Sequence, residues 1–188
     1  MSAVLKPRMT VQEYLDWENA QPDKNEFVEG EVYAMTGGRR GHGRVLFNLA
    51  QALGILLKGS GCQAFGDSMK VQVNANTVLY PDVFVTCDKN DLATDQIFRA
   101  PKLVIEILSP STQAYDRSKK FALYRQLASL QEYILVDPET RRVEAFRRQP
   151  DGAWQLHDMS DDAAMHAASI DCTVTMLDMF DGIDPPST

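Results

Sequence analysis

Lys102-Leu103-Val104-Ile105-Glu106-Ile107-Leu108 is apolar on both faces of a strand except at Glu106, the pattern of a strand covered on both sides. A buried carboxylate without a partner is costly unless it protonates, meets a cation or binds a metal, so Glu106 demands an explanation. Upstream, Tyr80-Pro81-Asp82-Val83-Phe84-Val85 poses the same question, with Asp82 opening an apolar run directly after a proline. Downstream, beyond Ser109-Pro110-Ser111-Thr112, residues Tyr115 to Ala128 read as a helix. At about 100° per residue, Phe121, Tyr124, Leu127 and Ala128 form its apolar arc, Lys120 falls between Tyr124 and Leu127, and Lys119 points nearly the opposite way. Two acids can share one cation, and the spacing predicts that Asp82, Glu106 and Lys120 form one cation-binding, water-activating site.

The flanking sequence fits around that unit. Thr10-Val11-Gln12-Glu13 is a capping box, with Met9 placed to staple onto Tyr14, so a short helix is expected from Val11 to about Glu18. Glu26 to Met35 reads as a hairpin bent at Glu29-Gly30. Gly37 to Arg44 reads as a flexible basic loop, followed by a helix in which Val45, Leu46, Leu49, Leu53, Leu56 and Leu57 keep helical spacing. The pattern then changes to period two: Cys62 to Phe65, Met69 to Val73, a turn at Asn74-Ala75-Asn76, and Thr77 to Thr86, expected as successive antiparallel strands. Residues 88–100 look polar and irregular. Glu132 to Asp137 is another buried strand, stopped by Pro138, and Arg142 to Arg148 with Ala153 to His157 make a hairpin around Pro150-Asp151-Gly152. The remainder is acidic and weakly patterned, with a short helix at Met176 to Phe180 and a Pro185-Pro186 tail. From His42 the order is helix, three strands, helix, strand.

A chain of 188 residues that is 44% hydrophobic is expected as one globular domain, 1–188, with its core over about 42–137. A net charge of −7 repels polyanions overall, so contact with nucleic acid needs a local basic patch. Cys62, Cys87 and Cys172 are widely spaced and form no C-x-x-C pair, which suggests neither a disulfide framework nor a zinc knuckle and suits a reducing cytosol. The Met1 to Arg8 stretch has no apolar signal region, and no stretch approaches a membrane span. The expectation is a cytoplasmic protein with no membrane association.

Hydrolysis of a phosphodiester requires a water brought to a shielded anionic phosphorus and charge neutralised on the departing oxygen. A hard cation on carboxylate and carbonyl oxygens does both. Asp82 and Glu106 suit it as ligands, with the Ile107 carbonyl as a third, and a neighbouring lysine orients or deprotonates the water. Pro81-Asp82, Glu106-Ile107-Leu108 and a lysine on the next helix resemble the PD-(D/E)XK nuclease superfamily. More closely, Thr10 to Tyr14, Glu26 to Glu31, Gly41-His42-Gly43-Arg44, Tyr80 to Val83, Val104 to Thr112, Lys120 to Tyr124 and Glu132 to Pro138 resemble the Uma-type restriction endonuclease family, over Thr10 to about Phe180. The Glu106 to Thr112 run with the later lysine and tyrosine carries most of that likeness. It implies an α/β (α+β) restriction-endonuclease-like core, a central mixed sheet flanked by helices, with extra N-terminal and C-terminal β-hairpins. It also implies a Mg²⁺ (or Mn²⁺) endonuclease acting on DNA. The superfamily lysine two residues after the acid is Leu108 here, and the resemblance implies that Lys120 replaces it from the helix.

Blander readings stand beside these. Asp82 can cap a turn, Glu106 can pair with an arginine or with Lys120 alone, and Lys120 can form an i,i+4 surface pair with Asp116. Glu26 and Glu31 are either added ligands or edge-strand charges. His42, in an exposed loop, is a helix-start residue or a proton carrier, and Tyr124 is core or a partner of Lys120. Contact with DNA would rest on Arg39, Arg40, Arg44 and Lys119, which otherwise form a solvated face. Cutting both strands usually takes two sites, so a homodimer is expected. The other function classes are a non-catalytic nuclease-fold binding or scaffold protein and a carboxylate-pair glycosidase, for which Lys120 has no task.

Overall fold

The computed structural model describes residues 9–35 and 37–184; the N-terminal stretch before Met9 and the Pro185-Pro186 tail lie outside the described residues. In chain order the elements are α1 (Val11–Glu18), β1 (Asn25–Val28), β2 (Glu31–Ala34), α2 (Arg40–Leu56), β3 (Gln63–Gly66), β4 (Lys70–Asn74), β5 (Thr77–Leu79) and β6 (Val83–Thr86). There follow β7 (Ile97–Phe98), β8 (Pro101–Ile107), α3 (Gln113–Tyr115), a wide π-turn (Asp116–Lys120), α4 (Phe121–Tyr124), β9 (Glu132–Asp137), β10 (Arg142–Arg148) and β11 (Trp154–Asp158). Last come β12 (Ala164–Ala167), β13 (Cys172–Thr175) and α5 (Met176–Met179).

A mixed six-stranded sheet, in the order β11-β10-β9-β8-β6-β3, is the centre of this α+β fold. Only its β8–β9 step is parallel, bridged by the helical segment 113–124. Alternation divides the two faces. Val83, Val85, Leu103, Ile105, Ile134 and Val136 pack against Val45, Leu49 and Leu53 of α2 and against the β12–β13 ribbon. Phe84, Val104, Tyr133 and Leu135 face Phe121, Leu123 and Tyr124 and the residues Val28, Val71 and Leu79 of a five-stranded sheet ordered β2-β1-β5-β4-β7. At α1, the expected capping box is present: Thr10 N–H donates to Glu13 Oε2 at 2.7 Å and Glu13 N–H to Thr10 Oγ1 at 3.2 Å. The β1–β2 hairpin turns on Glu29 and Gly30 with φ of 54° and 91°, the positive pair that a two-residue hairpin turn requires.

Several expectations need correction. The run Thr77 to Thr86 is two strands in two different sheets, β5 beside β4 and β1, and β6 beside β3 and β8. Pro81 has no N–H to offer a ladder, so the chain changes sheets there. The helix expected to reach Ala128 ends at Tyr124, and Ala128 is exposed. Residues 88–100 contribute β7, parallel to β4, and the weakly patterned end holds the β12–β13 ribbon. Leu56, counted in the helical stripe, is 47% exposed. Cys62 and Cys87, read as unpaired thiols of a reducing compartment, are joined in a disulfide. They extend the β3–β6 pairing one step past Gln63–Thr86, a proximity invisible in their spacing of 25 residues. Cys172 is free and buried, and burial pushes its thiol pKa up. Among the described residues no helix is long and apolar enough to cross a membrane.

Candidate active site

Two neighbouring strands place the acids. β6 and β8 run antiparallel with Val83 opposite Ile105, so one step further sets Asp82 beside Glu106 on one face. Backbone donors fasten both carboxylates: Ile107 N–H donates to Asp82 Oδ2 at 2.7 Å, and Asp82 N–H donates to Glu106 Oε2 at 3.4 Å. Asp82 is 8% exposed and Glu106 1%.

Lys120 ends the π-turn, a wide turn of a kind that recurs at functional sites. Its Nζ lies 3.0 Å from Glu106 Oε1 and 3.2 Å from Glu26 Oε1, and donates to the Tyr80 carbonyl at 3.1 Å. The contact with Glu106 is an ion pair outside hydrogen-bonding angles, which leaves Oε1 a buried oxygen with no hydrogen bond. The surface Asp116–Lys120 pair is not what forms: both residues are buried, and the lysine's carboxylate contacts are Glu106 and Glu26. Burial drives the Glu106 carboxyl well above the usual range, the nearby Lys120 pulling it back and Asp82 adding to the rise. Burial alone would lower the Lys120 ammonium, but Glu106 and Glu26 outweigh it and hold the pKa well above its ordinary value.

The auxiliary residues separate. His42, expected in an exposed loop, lies in the first turn of α2, with Nε2 3.1 Å from Asp82 Oδ1 and a side chain only 20% exposed. Burial disfavours its charge, yet the hydrogen bond and charge of Asp82 prevail and raise the pKa. Tyr124 is fully buried, its hydroxyl without a hydrogen-bond partner, and burial and then the Glu106 charge keep it unionised. Glu31 stays outside: it is exposed and accepts from Tyr33 Oη at 2.9 Å. Glu26 goes the other way, buried at 7% and accepting from Tyr80 N–H at 3.1 Å as well as meeting Lys120. Strand alternation and the hairpin register put Glu26, Val28 and Glu31 on one face, so alternation does not separate the two acids; the pairing of β1 with β5 does.

Electrically the cluster is lopsided. Asp82, Glu106, Glu26 and Asp116 are four buried carboxylates facing Lys120 and the imidazole of His42. Burial likewise raises the Asp116 pKa, with Lys120 and Thr112 pulling the other way. Surplus negative charge and an oxygen without a hydrogen bond suit a hard divalent cation. Among the described residues no group of three or more His, Cys, Asp or Glu surrounds one point. A hard cation such as Mg²⁺ needs only one or two carboxylates, with water completing its shell. Asp82 and Glu106 fit such an ion.

The basic residues are engaged with the protein itself. Arg39 pairs with Glu139 at 3.1 Å, Arg44 with Asp181 at 2.5 Å and Lys119 with Glu29 at 3.0 Å, while Arg40 donates to the Gly182 carbonyl at 3.0 Å. A cavity of about 300 Å³ lies between Arg39, Arg40, His42, Ser109, Pro138 and Glu139. His42 is the wall it shares with the carboxylate cluster.

Comparison with known proteins adds to this geometry. Residues 11–175 match the model of the Uma2 family, described as "Putative restriction endonuclease". Two uncharacterized proteins of Synechocystis sp. are similar: one is 38% identical over 151 residues, spanning 80% of each chain, and the other 30% identical over 154 residues, spanning 80% of this chain and 87% of its own. Among solved structures, a crystal structure of a "putative nuclease belonging to DUF820" from Anabaena variabilis superposes with a TM-score of 0.72 at 20% identity, over 92% of this chain and 97% of the other, and so shares the fold.

Proposed function

The chain belongs to the Uma2 family, and from that premise we propose that it is a DNA endonuclease that hydrolyses phosphodiester bonds with Mg²⁺ or Mn²⁺. A divalent ion, when bound, supplies a water of lowered pKa and a clamp on the phosphate. Asp82 and Glu106 hold it, each carboxylate already oriented by a backbone N–H, with the Ile107 carbonyl as a third oxygen. Lys120 acts as an ammonium: kept charged by two carboxylates, it orients the attacking water and offsets negative charge as that charge builds, while the proton of that water leaves to solvent. His42 steadies the second oxygen of Asp82. Arg39, Arg40, Arg44 and Lys119 receive DNA phosphates by exchanging their present partners, which makes binding strongly dependent on salt. The observation that carries the reading is the meeting of Asp82, Glu106 and Lys120 from three separate elements in a buried, over-acidic cluster.

One experiment tests it, incubation of supercoiled plasmid with Mg²⁺ or Mn²⁺. The wild type is expected to cut, and Asp82→Asn to lose about 10²–10³-fold in rate while its circular dichroism and melting temperature persist. Cutting at the wild-type rate by Asp82→Asn removes the assignment. Linear product forming without accumulated nicked circles is expected of paired sites in a closed dimer. The second reading, a nuclease-fold binding or scaffold protein, draws on one observation, the basic residues being tied to acids and carbonyls of the chain itself. A wild type that neither cuts nor binds Mg²⁺ at millimolar concentration would favour it.

A further inference from the structure

Lys120 sits between two carboxylates, and the two are not equivalent. Glu106 belongs to the strand pair that carries Asp82. Glu26 comes from β1, which is paired on both sides, with β2 and with β5. We infer that Glu26 is the positioning residue of Lys120: it is the carboxylate that keeps the ammonium in place and leaves Glu106 available to a cation. The catalytic consequence rests on the nuclease reading above; the geometry does not.

An ammonium and a divalent ion repel each other, so a lysine anchored only by a metal-binding glutamate would leave as the glutamate took up its ion. A second buried anion removes that conflict. Glu26 is built for it, since Oε1 meets Lys120 Nζ at 3.2 Å and accepts the Tyr80 N–H at 3.1 Å, while Oε2 accepts from Tyr115 Oη at 3.5 Å. Lys120 in turn donates to the Tyr80 carbonyl. The Glu26–Lys120 pair thus grips both backbone polar groups of Tyr80, two residues before Asp82. The Tyr80 hydroxyl donates to Glu18 Oε1 at 2.7 Å, and Glu18 is paired with Lys70 at 3.0 Å, so this strand entrance is held from α1 as well.

Glu26→Gln keeps an oxygen for Tyr80 N–H and removes only the charge. At saturating Mn²⁺ its kcat is expected to fall about 10²-fold, the scale of a small misplacement of a working group, with KM for DNA, melting temperature and the calorimetric Mn²⁺ affinity near wild type. Glu26→Asp is expected to restore part of the loss. Wild-type kcat in Glu26→Gln overturns the inference, and so does a tenfold or greater loss of Mn²⁺ affinity, which would make Glu26 a metal ligand. A crystal structure of Glu106→Gln decides the matter without any activity: Lys120 Nζ is expected to stay on Glu26 Oε1 and the Tyr80 carbonyl, and a lysine swung away from them refutes the role even if Glu26→Gln fails to fold. Should the wild type never cut DNA, the nuclease reading falls while that structure still decides about Glu26.

Discussion

Glu132 and Glu106 lie on adjacent strands, β9 and β8, at 0% and 1% exposure, and they are treated in opposite ways. Glu132 is fully partnered: Arg147 Nε donates to Oε1 at 2.8 Å and Ser169 N–H to Oε2 at 2.9 Å. Arg147 Nη2 also donates to the His166 carbonyl at 2.6 Å and to Met159 Sδ at 4.0 Å, tying the six-stranded sheet to the β12–β13 ribbon. Glu106 has a weak backbone donor on one oxygen and an ion pair without a hydrogen bond on the other, among three further carboxylates. Glu132 is matched in charge and geometry, as an acid that serves architecture is, whereas Glu106 is left incomplete, which suits the chemistry proposed for it. Burial alone does not tell the two apart; the partners do.

Breaking the architectural pair is expected to have the largest effect on stability. Arg147→Met leaves Glu132 buried without its cation and is expected to cost about 3 kcal/mol, the low end for a severed buried pair because Arg147 keeps part of its side chain in water. Urea unfolding measures it. No change in midpoint would mean that the pair is structurally idle and would dissolve the contrast. The opposite sign is expected at the other site. Glu106→Gln removes surplus buried charge and is expected to raise the urea midpoint of the metal-free protein, because burial and the Asp82 charge disfavour the ionised carboxyl. It is also expected to abolish the stabilisation by Mg²⁺, which for the wild type amounts to about 2.7 kcal/mol at a hundred times the dissociation constant. A Glu106→Gln protein less stable than the wild type in chelator would place Glu106 with Glu132 as a structural acid.

The amino-acid sequence exposes this contrast only in part. Glu106 stands out because it interrupts an apolar run, and strand and helix phase suffice to bring Asp82 and Lys120 toward it, since each lies within a few residues of a strongly patterned segment. Glu132 gives no such sign: its partners Arg147 and Ser169 lie 15 and 37 residues downstream, beyond the reach of local periodicity. Glu26 and Glu31 look alike in a hairpin until pairing with β5 places β1 inside its sheet, buried along its length, and leaves β2 at the edge. His42 was hidden by its glycines, which read as a loop although α2 starts at Arg40; the first turn of a helix has free N–H groups and little propensity at stake. The Cys62–Cys87 bond follows from the pairing of β3 with β6 inside the six-stranded sheet, which the continuous period-two pattern concealed.

The smallest expected effect sharpens the comparison through pH, because the acidic cluster includes an imidazole and the Glu132–Arg147 pair does not. His42 is pushed down by burial and raised further by the hydrogen bond and charge of Asp82, so the folded chain binds the proton more tightly than the unfolded one. The sign follows from linkage. The stabilising contribution of His42 is full below the unfolded imidazole pKa of about 6.5 and is lost as pH rises through the higher folded value. In chelator, the stability advantage of the wild type over His42→Asn is therefore expected to shrink as pH rises above about 6.5, whereas its advantage over Arg147→Met serves as the control without an imidazole. Urea midpoints at several pH values measure both. An advantage over His42→Asn that stays constant or grows with pH would mean that Asp82 does not hold the imidazole charged, and the cluster would then carry one cation fewer than its geometry suggests.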